Sequence, residues 1–433
     1  MNYKTQRKLY NEASFFALLK FRVYDKASNK KRGQIRDRNF HKMINAAYKI
    51  PFYRKRFDEA GVTPADIRTR EDLTKLPVLT KEEYRQWMKE EKEKEENRDC
   101  MIMQTSGSSG KPLEVLNTPF EYAKDVANVL RSWIFCGANP FWLKTITEAD
   151  DSSETVGYKT FIQKLGILRR EIVNTNDKEE NIISFINEYK PNILRMYKSE
   201  YVNLGVYAKK NHVKIHQPDY SVVIGENVDV VSERLLHEVY GGGVINLYGC
   251  VENGAIAVKK PGSKVYEVFE DVVALNIYDQ NNKLSDKGRI IMSTLYKNTF
   301  PLINYDLKDM AEVEKTDRGL VIKEILGRTD DNVVYSDGTS TGWIRLWHIA
   351  CEQQDLLQIH MIQKSYSSIV IQLVKDNASS KSEKQIEEEL TKELNTQFLG
   401  RLEIEYQWLD SIPTDENGKT KLIEKTFDSM GLC

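Results

Sequence analysis

The chain has 433 residues, enough for at least two domains at about 100 to 200 residues each. Its 64 acidic and 63 basic side chains nearly cancel, which excludes an overall field that would draw it to nucleic acid or to anionic lipid. Cys100, Cys136, Cys250, Cys351 and Cys433 form no CxxC pair and have no histidine at metal-ligand spacing, so they are expected as reduced, structural thiols.

The opening MNYKTQRKLYNE is polar and basic, without the apolar core of a signal peptide, and no later apolar run is long enough to span a bilayer. A cytoplasmic, soluble chain is the expectation. Up to about Glu96 the amphipathic stretch FHKMINAAYKIPFYRKRFDEAG and the charge run KEEYRQWMKEEKEKEENRD predict a helical region ending in a solvated surface helix. MIMQTSGSSGKPLEVLNTP then reads as strand, small-residue loop and strand, before the helical pattern EYAKDVANVLRSWIF.

Short apolar runs recur next, PNILRMY, YSVVIGE, GVINLYG, VVALNIYD and GRIIMSTLY, with helical segments such as DKEENIISFINEY between the early ones. Strands alternating with helices predict an α/β domain with ligands at the carboxyl ends of its strands. After Gly327 to Asp331 the pattern restarts: IHMIQKS and SIVIQLVKD as strands, KSEKQIEEELTKELNTQFL as a helix, LEIEYQWLD as a strand. The expectation is a large α/β domain over 1–328 and a small, mobile α+β domain over 329–433.

TSGSSGKP, Thr105 to Pro112, places four hydroxyls among two glycines ahead of a lysine, a composition that can wrap N–H groups and an ammonium around a polyphosphate. It is not a Walker loop, since its glycines stand too close together and Pro112 follows Lys111. INLYGCVENGAIA, INYDLKDMAEV, ILGRTDDNVVYSDG and TDENGKTKL follow in that order. This series resembles the core motifs of the adenylate-forming superfamily of acyl-CoA synthetases, adenylation domains and luciferases. PFYRKRFDEAGV and LTKLPVLTKEEYR resemble the opening of its phenylacetate-CoA ligase branch, which includes CapK-type proteins and acyl-protein synthetases.

The resemblance implies ATP-dependent conversion of a carboxylic acid to acyl-AMP, followed by transfer to coenzyme A. A carrier protein, an amine or a sugar is the alternative acceptor, and an inactive nucleotide-binding homologue is a third reading. Thr105, Ser106, Gly107, Ser108, Ser109, Gly110 and Lys111 match the loop holding the β- and γ-phosphates. Tyr248 and Gly249 match the motif whose ring packs on adenine, and Glu252 its Mg2+-holding carboxylate. Gly225 and Glu226 fall where the family lines the adenine pocket, and Asp309 matches the ribose-binding aspartate, although Lys308 stands where the family usually has Gly. Arg328 matches the arginine on ribose and phosphate, Asp330 the hinge, and Lys419, after Gly418, the lysine that meets carboxylate and α-phosphate; Lys421 is its competitor.

FWLKTITEADDSSETVGYKTF departs from the Gly- and aromatic-rich run that helps form the acid pocket in phenylacetate ligases. Its Glu148, Asp150, Asp151 and Glu154 are expected as a solvated acidic loop, with recognition of an amine-bearing acid as the alternative. The substrate is expected to be a small or aromatic carboxylic acid. The six histidines show no metal or triad spacing, and the sequence leaves a homodimer open.

Overall fold

A computed structural model describes residues 3–427 except 106–112, 150–160, 175, 227, 229, 329–331, 343–345, 347–348, 350–352 and 414–422. The chain separates into two compact units. One gathers Met1–Pro140, Lys159–Ile167 and Leu247–Ile325; the other gathers Phe141–Tyr158, Leu168–Asn246 and Leu326–Cys433.

The first unit opens with helices α1 (Tyr3–Asp25), α2 (Asn29–Ala47), α3 (Pro51–Glu59) and α4 (Lys81–Lys92). The charge run at α4 is not simply a solvated helix. Thr80 and Glu83 close a capping box at its start, and Tyr84, Trp87 and Met88, spaced for one face, are buried. Trp87 stacks on Phe52 at 4.5 Å between ring centroids, so the charges occupy only the outer face. An antiparallel pair follows, β1 (Met101–Gln104) with β2 (Glu114–Asn117). Then comes α5 (Pro119–Phe135), started by a Thr118–Glu121 capping box and Pro119.

The second unit holds β3 (Lys144–Ala149), β4 (Arg169–Asn174), β5 (Ile193–Tyr197) and β6 (Tyr220–Ile224), ordered β4-β3-β5-β6 and parallel; the short α6 (Phe161–Lys164), a part of the first unit, precedes β4 in the chain. The crossovers use α7 (Glu179–Tyr189) and α8 (Lys198–Asn211), and α9 (Val230–Tyr240) follows β6. Ile146, Leu194, Met196 and Val223 pack with Ile182, Ile186, Leu204 and Leu236 as one core. In-register parallel pairing brings Ala149, Tyr197 and Ile224 to the same end, which prepares that end for a site.

β7 (Gly243–Cys250) leads back into the first unit, where β8 (Gly254–Lys259), β9 (Tyr266–Val268), β10 (Val273–Tyr278), β11 (Lys287–Thr294), β12 (Tyr305–Thr316) and β13 (Gly319–Arg328) are ordered β10-β11-β12-β13-β9-β8.

The smaller C-terminal domain starts with the hairpin β14 (Asn332–Val334) and β15 (Ser340–Gly342). Its main sheet comprises β16 (Leu356–Gln363), β17 (Ser368–Lys375), β18 (Glu403–Trp408) and β19 (Ile423–Lys425), in the order β18-β17-β16-β19. Helix α10 (Glu383–Phe398) covers the sheet with Ile386, Leu390, Leu394 and Phe398, a four-residue apolar stripe, after a Ser382–Gln385 capping box. Within the second unit this domain rests on α8 and α9: Val202, Val206 and Leu235 pack against Leu357, Val374 and Ile412. Lys209 pairs with Asp376 at 2.9 Å alongside.

Candidate active site

In the first unit the TSGSSGKP loop springs from the β1–β2 pair. Thr105 closes its base twice: its N–H donates to the Leu113 carbonyl at 3.0 Å, and its Oγ1 accepts from the Leu113 N–H at 2.9 Å. Ser106, Gly107, Ser108, Ser109, Gly110 and Lys111 lie outside the described residues.

The YGxxE motif forms the β7–β8 hairpin. Gly249 cannot carry a side chain there, because a Cβ would stand 2.3 Å from the Gly254 carbonyl oxygen, and Gly254 itself has φ +66°. This tight turn buries Glu252, which is 6% exposed. Tyr305 Oη donates to Glu252 Oε1 at 3.1 Å. Burial, then the Glu252 carboxylate, push the Tyr305 phenol far above its ordinary range, so it remains a donor. Among the described residues no cluster of three or more His, Cys, Asp or Glu could hold a metal alone. One buried carboxylate suits a magnesium ion that takes its remaining oxygens from phosphates and water.

Asp309 owes its position to a bulge in β12. Arg289 faces Met310 and Ile291 faces Asp306, so Leu307, Lys308 and Asp309 stand opposite the single Ile290. Lys308 adopts φ +64°, the conformation glycine takes without cost. Asp306 Oδ1 accepts from the Lys308 N–H at 2.9 Å and braces this conformation. Tyr248 Oη donates to Asp309 Oδ2 at 2.8 Å. The adenine and ribose candidates, 61 positions apart in sequence, thus meet directly.

Sequence reasoning missed the platform beneath these motifs. Helix α5 buries a polar line, Glu121, Asp125, Asn128 and Arg131, at steps of four, three and three that follow one helical face. Glu121 Oε1 accepts from the N–H groups of Asn298 at 2.8 Å and Thr299 at 3.0 Å. Asn128 Nδ2 donates to the Ala255 carbonyl at 2.6 Å, and Arg131 pairs with Asp25 at 2.7 Å and Asp271 at 2.9 Å. The signal was present in EYAKDVANVLRSWIF as polar residues at core spacing, but such a helix also reads as an ordinary amphipathic one.

In the second unit Gly225 and Glu226 follow β6, as expected for a strand end. Glu226 Oε2 accepts from Ser199 N–H at 3.0 Å and Ser199 Oγ at 2.7 Å, at the start of α8. Glu148, expected in a solvated loop, is instead 7% exposed in β3. Its Oε1 accepts from the Tyr197 N–H at 2.5 Å. β3 runs up to Ala149, so Glu148 lies inside the sheet on the core side with Ile146. Burial chiefly, with Glu200 and Glu226 adding like charge, pushes its carboxyl up to about 8. Asp150, Asp151 and Glu154 lie outside the described residues, as do Asp330, Gly418, Lys419 and Lys421. Arg328 ends β13.

Cys100 and Cys136 are free thiols, pushed up to about 11 and about 12 by burial, so both are poor nucleophiles at neutral pH. Among the described residues, no helix is long and apolar enough to cross a membrane.

Residues 336–426 match the family described as the CapK C-terminal domain. Phenylacetate-coenzyme A ligase of Thermus thermophilus is 26% identical over 318 residues, covering 66% of this chain and 67% of that enzyme. The same-named enzyme of Aromatoleum evansii is 26% identical over 326 residues, covering 67% and 69%. The fold is shared with 2-hydroxyisobutyryl-CoA ligase in its postadenylation state with 2-HIB-AMP, at TM-score 0.75 and 15% identity over 92% of this chain and 90% of that one. With its mixed α/β body, smaller C-terminal domain and ordered motifs, the chain is similar to the adenylate-forming superfamily, and within it to phenylacetate-CoA ligases and CapK-like proteins.

Proposed function

We propose that this chain is an AMP-forming acid–thiol ligase that activates a small or aromatic carboxylic acid with ATP and passes the acyl group to coenzyme A. The observation that carries the reading is the Tyr248–Asp309 hydrogen bond beside the buried Glu252. It joins two motifs that the family uses on one nucleotide. The relatives named as phenylacetate-coenzyme A ligases support the acid and the thiol acceptor.

In the first half-reaction an oxygen of the acid attacks the α-phosphorus of ATP, the bond to the β-phosphate breaks, and pyrophosphate leaves. In the second the thiol attacks the acyl carbonyl, loses its proton, and AMP departs. Carboxylate and phosphates are both anionic, so the chain's work is positioning and charge compensation. Asp309 would accept from the two ribose hydroxyls, and Tyr248, fixed by Asp309, would pack on the adenine. Gly225 and Glu226 would border the base, and Arg328 would meet ribose and phosphate. Residues 105–111 would clamp the β- and γ-phosphates. Glu252 would hold magnesium, whose contribution when bound is to offset phosphate charge as a Lewis acid. Residues 329–433 form the proposed domain that brings Lys419 to the reacting carboxylate, with Asp330 as its hinge.

A second reading, transfer to a carrier protein, an amine or a sugar, is favoured by the CapK C-terminal match over residues 336–426. Product analysis separates the two. AMP and pyrophosphate formed with stoichiometric loss of free thiol support the ligase. AMP formation without thiol loss supports the other acceptors, and ADP as product contradicts both.

A further inference from the structure

Lys297 plays no part in the site described so far, yet its ammonium is buried deep in the first unit, with the residue 1% exposed. Its Nζ donates to Asn117 Oδ1 at 2.5 Å and to Asp125 Oδ2 at 3.0 Å. Asn117 ends β2, the strand that returns from the phosphate loop, and Asp125 belongs to the polar line of α5. The other Asp125 oxygen, Oδ1, accepts from Tyr296 Oη. That hydroxyl also lies 2.8 Å from the carbonyl oxygen of Asn253, the residue directly after Glu252. Glu121, one turn earlier on α5, holds the N–H groups of Asn298 and Thr299. One buried network therefore binds the exit of the phosphate loop, helix α5, the Tyr296–Thr299 segment and the Glu252 turn.

Burying an ion pair gains little stability over an apolar pair of the same shape. What it supplies is direction, since each partner accepts only a narrow set of geometries. Here both ends of that geometry are elements assigned to phosphate and metal. Building on the function proposed above, we infer that Lys297, with Asp125 and Tyr296, is a positioning group that fixes the Glu252 turn relative to the strand leaving the phosphate loop. The Lys297 ammonium is taken up by Asn117 and Asp125. It acts by holding the Glu252 carboxylate where a metal–phosphate unit can use it.

Mn2+ binding followed by electron paramagnetic resonance, with α,β-methylene-ATP present, tests this without turnover. Lys297→Met keeps the stem and removes the charge; Tyr296→Phe removes one hydroxyl and is the gentler variant where the first folds poorly. Both should weaken Mn2+ binding at least threefold while the thermal transition stays cooperative. Against a Glu252→Gln background the same changes should have no further effect, because their influence runs through Glu252. Normal Mn2+ binding in both folded variants, or equal weakening in the Glu252→Gln background, would overturn the inference and leave the proposed function standing. Failure of the unaltered protein to bind Mn2+ with the nucleotide analogue would overturn both.

Discussion

At the scale of single residues, the proposed ribose site pairs Asp309 with a non-glycine neighbour, Lys308, in the left-handed conformation. A residue other than glycine at φ +64° costs about 1 to 2 kcal/mol, and the bulge is retained all the same. Lys308→Gly should therefore leave the KM for ATP within twofold of the parent. Asp309→Ala should raise it at least tenfold, since a charged hydrogen bond contributes about 1.5 to 3 kcal/mol. Steady-state kinetics with ATP varied distinguishes these outcomes, and an unchanged KM in Asp309→Ala refutes the ribose assignment. Glu148 gives a second test through pH. Its folded carboxyl titrates at about 8, above the ordinary value near 4.3 for an unfolded glutamate. The folded state then holds a proton that the unfolded state has lost, so stability falls as pH rises between these values. Glu148→Gln should lose less thermal stability than the parent between pH 5 and 8. Parallel melting-temperature profiles would show that Glu148 ionises normally.

At the scale of elements, α5 is the helix to test. Arg131 is wholly buried between Asp25 and Asp271, with its guanidinium 4.3 Å from the Phe269 ring centroid. Removing it leaves two buried carboxylates without their cation, which costs about 3 to 5 kcal/mol. Arg131→Ala should lower the denaturant midpoint accordingly, and a loss under about 1 kcal/mol would mean water reaches that pocket. The contrast between α5 and α10 shows what the sequence discloses. In α10 the residues Ile386, Leu390, Leu394 and Phe398 declare their buried face by composition, and the helix was legible. In α5 the buried face is polar, so only the partners, distant in sequence, reveal its purpose. β3 was missed for a related reason: KTITEA carries Lys144 and Glu148, and only the parallel pairing with β4 and β5 shows it as an internal strand. The motifs themselves were legible as strings, but the Tyr248–Asp309 contact and the Glu252–Tyr305 contact depend on strand register, which no string states.

At the scale of the whole molecule, both proposed half-reactions fall to one chain built from an α/β body and a smaller C-terminal domain. Lys419 is proposed for acyl-AMP formation alone, since only that step brings carboxylate and triphosphate together. Lys419→Ala should accordingly lose acyl-AMP formation by orders of magnitude yet still turn a supplied acyl-AMP and thiol into thioester. Equal slowing of the two steps, followed by single-turnover kinetics, would remove Lys419 from that role. Both half-reactions require that this protein make an acyl-AMP reversibly from ATP and an acid. This requirement is tested most directly by exchange of labelled pyrophosphate into ATP, with Mg2+, across a panel of aryl, short-chain, hydroxy and amino acids. Exchange should depend on at least one acid and be abolished by Asp309→Ala. Exchange with none of the acids, from folded protein that still binds ATP, would contradict the proposed function.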